Sequence, residues 1–465
     1  MTVALPDGTE CRYSVSDNVS VMYQFHCSYI LLFRNAGGEE HFLTPDLLKR
    51  GLDVLVRRFY QPVAGWFETN GDKVDVVFSN ARRNDPLFTT QRLDMGYEEL
   101  AQHVHASNVD LFVPATPRGV IRGDGAPMPM FLARATYLAG NEGVVLGVSY
   151  HHALMDGSAF WEFMANWARV CRQLHAQDAG TDASGEPSLP HPPAFGLPDS
   201  SHLLDPARQF EHTEYVVVDA DKCLWEFKPG ADVITERVFT VSTEHQAEIR
   251  QMAKDAGVSF TEMLCAVFWK EVNDARLRAR PALAAETALF TCAVNPRRQL
   301  GVPATQCASP VLNTAAAVTV GALAQLDLRG VARLVSGAIG RCTGAYAASS
   351  YAFLRAQLQR EAGERRQHGR VAQRVMLTYV RPDPVKCTVS SSRTFPIYQT
   401  DFGFGPPEYV RPPFLPFDGC VRIWPTPRYS PAPGAAPAPI EVYASLPEHV
   451  DLSAAPLLSR LPVRA

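Results

Sequence analysis

The stretch Ser149-Tyr150-His151-His152-Ala153-Leu154-Met155-Asp156-Gly157 gathers more reactive chemistry than any other part of this 465-residue chain. His152 stands four residues before Asp156, and Gly157 follows directly. In such a constellation the imidazole can serve as a base, the carboxylate can organise the loop, and the glycine permits a tight turn. A second cluster, Asp401-Phe402-Gly403-Phe404-Gly405, lies far downstream, ahead of Pro406 and Pro407, and reads as a bend. Its two glycines let the backbone approach another element closely, and its acid can hydrogen-bond or pair across that contact. No Gly-x-Ser-x-Gly elbow is present to supply a nucleophilic serine.

The elements around the first cluster can be read from spacing. Residues 131–137 and 143–150 are apolar runs rich in β-branched and aromatic side chains, separated by Leu138-Ala139-Gly140-Asn141, and predict a hairpin in a buried sheet. After Gly157 the apolar positions Phe160, Phe163, Met164, Trp167 and Cys171 recur as one helix face, so His151 through Gly157 fall in a strand-to-helix loop. Upstream, residues 41–61 predict a helix with Thr44 as N-cap and Pro45 at its first position. Residues 176–200 are dense in Gly, Pro, Ser and Ala and form the best linker candidate. Helices are expected at 243–255, at 259–276, where Ser259 and Glu262 have capping-box spacing, and as one long stretch at 322–362. Strands are expected at 372–379, 385–391, 419–424 and 439–445, with 425–439 a mobile loop.

Composition narrows the functional classes. Hydrophobic residues at 46% and charged residues at 20% are globular values, and the length calls for two or three domains. A formal charge of -4 lacks the basic excess that binding a phosphate backbone needs, so nucleic acid is not an expected partner. The ten cysteines are scattered without a Cys-x-x-Cys pair, which points to reduced thiols in a cytoplasmic protein and no metal site. Neither a signal peptide nor an apolar run long enough to span a bilayer is visible.

Together the two clusters resemble the signatures of the BAHD acyltransferases, His-x-x-x-Asp-Gly and Asp-Phe-Gly-Trp-Gly, in that family's order and separation, and the resemblance covers nearly the whole chain. Ser16-Asp17-Asn18 is similar to the family's opening region, and Pro62-Val63-Ala64-Gly65 to its Pro-x-Ala-Gly-Arg step, with Trp66 where arginine is usual. Val258 through Thr261, Asn295-Pro296-Arg297, Asn313 and Pro416 through Pro425 resemble its later landmarks. The resemblance implies an α/β fold of two similar chloramphenicol acetyltransferase-like lobes, each a mixed β-sheet flanked by helices, with an active-site channel between them. It implies an enzyme that moves an acyl group from a coenzyme A thioester to a hydroxyl or amine of a small-molecule acceptor. No covalent intermediate and no permanently bound cofactor would be involved, acyl-CoA being the co-substrate, and the protein would act as a monomer.

Roles follow from that resemblance. His152 is the general base. Asp156 shapes the loop, paired with Arg297, rather than forming a dyad with the imidazole, and Gly157 supplies the turn into the helix. Ser390 is a candidate oxyanion donor. Ser392 stands where members that transfer hydroxycinnamoyl groups carry tryptophan, which weakens the case for a large planar aromatic substrate. Phe404 replaces the motif's tryptophan and loses the indole N–H. Ser259 and Thr261, at a helix start, could meet the nucleotide of coenzyme A through exposed N–H groups, with simple capping as the competing reading. Arg393 and Lys386 are weaker phosphate candidates. His151 points to the opposite side of the strand and reads as packing.

The expected division is 1–178 as an N-terminal lobe, 179–214 as a crossover, and 215–465 as a C-terminal lobe carrying Asp401–Gly405, with a segment near 365–400 returning to the lobe interface. Two other readings stay open. The His151-His152 doublet also fits a condensation-type domain that uses carrier-protein thioesters, and the fold could persist as a non-catalytic binding protein.

Overall fold

A computed structural model describes residues 10–15, 25–70, 73–103, 109–115, 129–181, 185–220, 232–378, 385–427 and 438–464. The Ser16-Asp17-Asn18 stretch, Cys223 and most of the 425–439 loop fall outside them. The chain forms two compact units, one of Met1–Asp199, Gly301–Pro310 and Phe395–Pro413, the other of Ser200–Leu300, Val311–Thr394 and Phe414–Ala465.

The first unit is built on a five-stranded sheet in the order Tyr409–Arg411, His26–Arg34, Gly143–His151, Phe131–Leu138, Leu87–Leu93, antiparallel except for the last pair. The expected hairpin is present, and Gly140 and Asn141 turn it with left-handed backbone. Every residue of Gly143–His151 is buried. The helices Pro45–Arg58 and Gly157–Asp178 pack together so closely that a Cβ on Gly51 would lie 2.2 Å from Cys171 Sγ, and Trp167 Nε1 donates to Leu48 O at 3.0 Å. Thr44 caps the first of these helices as its sequence predicts, accepting from Leu47 N at 3.3 Å.

The second unit carries a seven-stranded sheet in the order Leu312–Thr319, Thr287–Val294, Val385–Ser391, Cys420–Pro425, Ile440–Pro447, Ile234–Val241, Val463–Arg464. Its Val385–Ser391 strand is parallel to both neighbours. One face, including Val389, Val421, Ile423 and Val442, forms a core with the helices Thr243–Ala256, Phe260–Ala279 and Leu328–Gly340. A separate hairpin-like pair joins Tyr215–Asp219 to Gln373–Leu377 beside the long helix Gly344–His368.

Two expectations are corrected. The single helix at 322–362 is three, Val320–Gln325, Leu328–Gly340 and Gly344–His368, because Thr319, Asp327 and Thr343 each cap a new start with their side chains. Asp401–Gly405 belongs to the first unit rather than a C-terminal lobe, since Tyr409–Arg411 adds an edge strand to that unit's sheet and Phe402 packs edge-on against Trp167 and Phe33 there. The expected lobe-interface segment divides accordingly, 365–394 falling in the second unit and 395–400 in the first.

Candidate active site

His152 sits just beyond the end of the central strand of the first unit. The ladder closes with His26 opposite His151, after which His151 N donates to Met130 O at 2.9 Å, His152 N to Phe25 O at 2.9 Å and Leu154 N to His151 O at 3.0 Å. These three bonds anchor the turn's backbone where the His152 side chain leaves the chain. Asp156 N then donates to Ala308 O at 3.1 Å, and Asp156 Oδ1 accepts from Ala159 N at 2.9 Å as the N-cap of the helix Gly157–Asp178.

The His152 ring is partly exposed, tilted against Phe25 at 5.4 Å and stacked near Tyr150 at 6.0 Å. Ser309 Oγ lies 3.3 Å from its Nδ1. Burial pushes the imidazole pKa below its usual value, while the charge of Asp156 and a hydrogen bond to the residue's own backbone carbonyl act in the other direction. Nδ1 is thus the ring nitrogen that faces the loop, within hydrogen-bond reach of the Ser309 hydroxyl. With a proton on Nδ1, the lone pair that a general base uses is the one on Nε2. The charge of Asp156 thus raises the pKa of this ring, and its cap bond orders the loop.

His151 is a buried neutral imidazole. Its Nδ1 accepts from Ala153 N at 3.2 Å, and its ring meets Phe67 at 4.6 Å and His26 edge-on at 5.1 Å. Burial drives its pKa well down, reinforced by repulsion from His26 and His152. Its neighbours differ from those of His152, whose ring meets Phe25 and Ser309, in keeping with strand alternation.

Gly157 has a different reason from the one expected. Its backbone is not left-handed, but a Cβ there would come within 2.9 Å of the Phe395 ring, so glycine makes room for that aromatic at the helix start. At the Asp401 cluster the left-handed requirement does hold, for Gly403 at φ 112 and Gly405 at φ 96. Asp401 folds its own loop, Oδ1 accepting from Gly403 N at 2.8 Å and Gly405 N at 3.0 Å, while its carbonyl accepts from Arg172. Phe402 is buried, and Phe404 packs on Phe42 at 5.3 Å and His175 at 4.9 Å. A ring suffices for these contacts, and no indole donor is needed.

Arg297, Ser390, Ser259 and Thr261 belong to the second unit. Arg297 is buried just past the Thr287–Val294 strand, its backbone N and guanidinium both donating to Asn295 Oδ1 at 3.1 Å. Ser390 is exposed on the sheet face opposite the helices, beside Arg422 of the neighbouring strand. Ser259 closes a capping box, with Glu262 N donating to its Oγ at 3.3 Å and its own N donating to Glu262 Oε2 at 2.6 Å. That box occupies the Ser259 N–H and places a carboxylate at the helix start, which disfavours a phosphate there and supports the capping reading. Ser309 and Phe25, which touch His152, carry no motif in the sequence. Among the described residues no group of three or more His, Cys, Asp or Glu side chains is placed to hold a metal ion, and no helix is long and apolar enough to cross a membrane.

The Transferase family model matches residues 6–449. Putrescine hydroxycinnamoyltransferase 3 of Oryza sativa subsp. japonica is 27% identical over 288 residues, the match spanning 61% of this chain and 61% of the rice protein. Rosmarinate synthase of Plectranthus scutellarioides is 25% identical over 405 residues, 85% of this chain and 84% of that protein. Among solved structures, F. sporotrichioides TRI101 complexed with coenzyme A and T-2 matches with a TM-score of 0.67 at 17% identity, covering 98% of this chain and 99% of that one. At that identity the likeness is one of fold, and the chain has that two-lobed mixed α/β architecture.

Proposed function

The chain belongs to the Transferase family, that of the BAHD acyltransferases, and from that premise we propose that it transfers an acyl group from a coenzyme A thioester directly to a hydroxyl or amine of a small acceptor. The observation that carries the reading is the placement of His152, on a turn anchored at the end of the central strand, with burial holding its imidazole pKa below the usual value and Ser309 Oγ 3.3 Å from its Nδ1.

In this mechanism Nε2 takes the acceptor's proton as the acceptor oxygen or nitrogen bonds to the thioester carbonyl carbon. The tetrahedral intermediate then collapses, the carbon–sulfur bond breaks, and the coenzyme A thiolate leaves with the proton held by the imidazolium. A pKa held below the ordinary histidine value suits both steps, because the free base is present at neutral pH and the imidazolium returns its proton readily. The thioester is already activated, so no enzyme nucleophile is needed. The resemblance assigns the oxyanion to the Ser390 hydroxyl. The nine cysteines among the described residues are free thiols, which suits a reducing cytosol.

The test is a screen of the purified protein with acetyl, malonyl and hydroxycinnamoyl coenzyme A against pooled alcohols and amines, read as free thiol. Acceptor-dependent release supports the reading. Release seen with none of the donors, or seen only when the acyl group is presented on a carrier protein, contradicts it.

A further inference from the structure

The second unit holds another histidine wired to a hydroxyl, and we propose that Ser349, His212 and Glu214 form a nucleophilic serine site, which takes an acyl or phosphonyl group from an activated electrophile independently of acyl transfer at His152. His212 Nε2 lies 2.9 Å from Ser349 Oγ, and His212 Nδ1 lies 3.0 Å from Glu214 Oε1. The Glu214 carboxylate also accepts from Tyr346 OH at 2.5 Å and from Ser350 Oγ at 3.1 Å. A carboxylate accepts, so the His212 proton sits on Nδ1, Nε2 is the acceptor, and the Ser349 O–H donates to it. The hydrogen-bond directions thus run from serine to imidazole to carboxylate, the order in which a base activates a serine and an acid group orients the base.

The supports are rigid. Tyr346, Ser349, Ser350 and Phe353 share one face of the helix Gly344–His368 at three- and four-residue spacing. The opposing segment is pinned by Tyr215 N to His212 O at 3.1 Å, Thr378 N to Glu214 O at 2.8 Å and Thr378 Oγ1 to Thr213 O at 2.7 Å. The His212 ring rests against Tyr346 at 5.1 Å and Phe353 at 5.3 Å, and its side chain and that of Glu214 are 5% and 1% exposed. Ser349 is the member that solvent reaches, being partly exposed. Buried acid, shielded base and accessible hydroxyl make up a built site rather than a surface ion pair.

Its substrate class is bounded by the helix. Backbone N–H groups in a helix interior are engaged in the i→i−4 ladder, so the helix around Ser349 offers no backbone donors for an oxyanion. The serine is therefore matched to electrophiles with good leaving groups, such as aryl esters and phosphonofluoridates. With the latter, the Ser349 Oγ–phosphorus bond forms as the phosphorus–fluorine bond breaks, and the serine proton passes to His212 Nε2 and leaves with fluoride.

The experiment incubates the full chain with an alkyl fluorophosphonate and locates the adduct by peptide mass spectrometry. The expected result is a single adduct on Ser349, absent in Ser349→Ala, undiminished in His152→Ala, and formed about a hundredfold more slowly in His212→Ala. Ser349→Ala keeps the helix intact and should leave coenzyme A thiol release unchanged. A folded wild-type protein without an adduct on Ser349, or one labelled equally fast when His212 is alanine, overturns the proposal.

Discussion

His152 and His212 each lie within hydrogen-bond reach of a serine hydroxyl, yet the chain holds them in opposite ways. At His152 the acid Asp156 turns to cap a helix, and a serine hydroxyl, Ser309 Oγ, lies beside the ring's Nδ1. At His212 the acid grips the ring itself, and two neighbouring hydroxyls, of Tyr346 and Ser350, in turn grip the acid. A histidine that must collect a proton from a diffusing acceptor and return it to a leaving thiolate gains from a weakly held conjugate acid. A histidine that serves one fixed hydroxyl gains from a clamp. The same residue type is thus set for two chemistries by where its carboxylate points.

The largest expected break in this contrast comes from Glu214→Ala. It leaves Tyr346, Ser350 and His212 without their shared buried acceptor, and should lower stability by about 3 kcal/mol or more in chemical denaturation, whereas Asp156→Ala should cost about 1 to 2 kcal/mol as the loss of an N-cap. Equal costs would mean that the two acids do the same work.

Acid should sharpen the contrast next. His26, His151 and His152 all have folded pKa values below the ordinary value of about 6.5, with burial the leading cause in each. On acidification the unfolded chain takes up those protons first, so stability present above about pH 6.5 is lost as the pH falls, at up to about 1.4 kcal/mol per pH unit for each imidazole. His151→Asn keeps an acceptor for Ala153 N but cannot titrate. Denaturation curves for this variant at pH 7.5 and 5.5 should lie closer together than those of the wild type.

The smallest effect is expected from Asp156→Asn. The amide oxygen still caps the helix, so thiol release should fall by less than about tenfold. Loss of the charge removes an influence that raises the His152 pKa, so the acid limb of the pH–rate profile should move to lower pH. A hundredfold loss of rate would instead mark Asp156 as a dyad partner.

What the sequence disclosed follows from how local each signal is. Thr44 before Pro45, the Ser259–Glu262 box and the turn at Gly140-Asn141 are decided within a few residues, and each lies where its spacing predicts. His152, Asp156 and Gly157 were legible for the same reason, although the cause for Gly157, the Phe395 ring, arrives from far along the chain. The excursions of Gly301–Pro310 and Phe395–Pro413 into the first unit were not legible, since a long-range return leaves no periodicity. Ser309 beside His152 was hidden with the first of them. His212 and Ser349, brought together across 137 positions, form no motif for spacing to reveal.

The most direct test of the account is coenzyme A thiol release by His152→Ala beside the wild type, with an accepted donor and acceptor and with folding checked by circular dichroism. A folded variant whose rate is lower by about a hundredfold to ten-thousandfold is the predicted result. A folded variant that keeps the wild-type rate would contradict the assignment of His152 as the base.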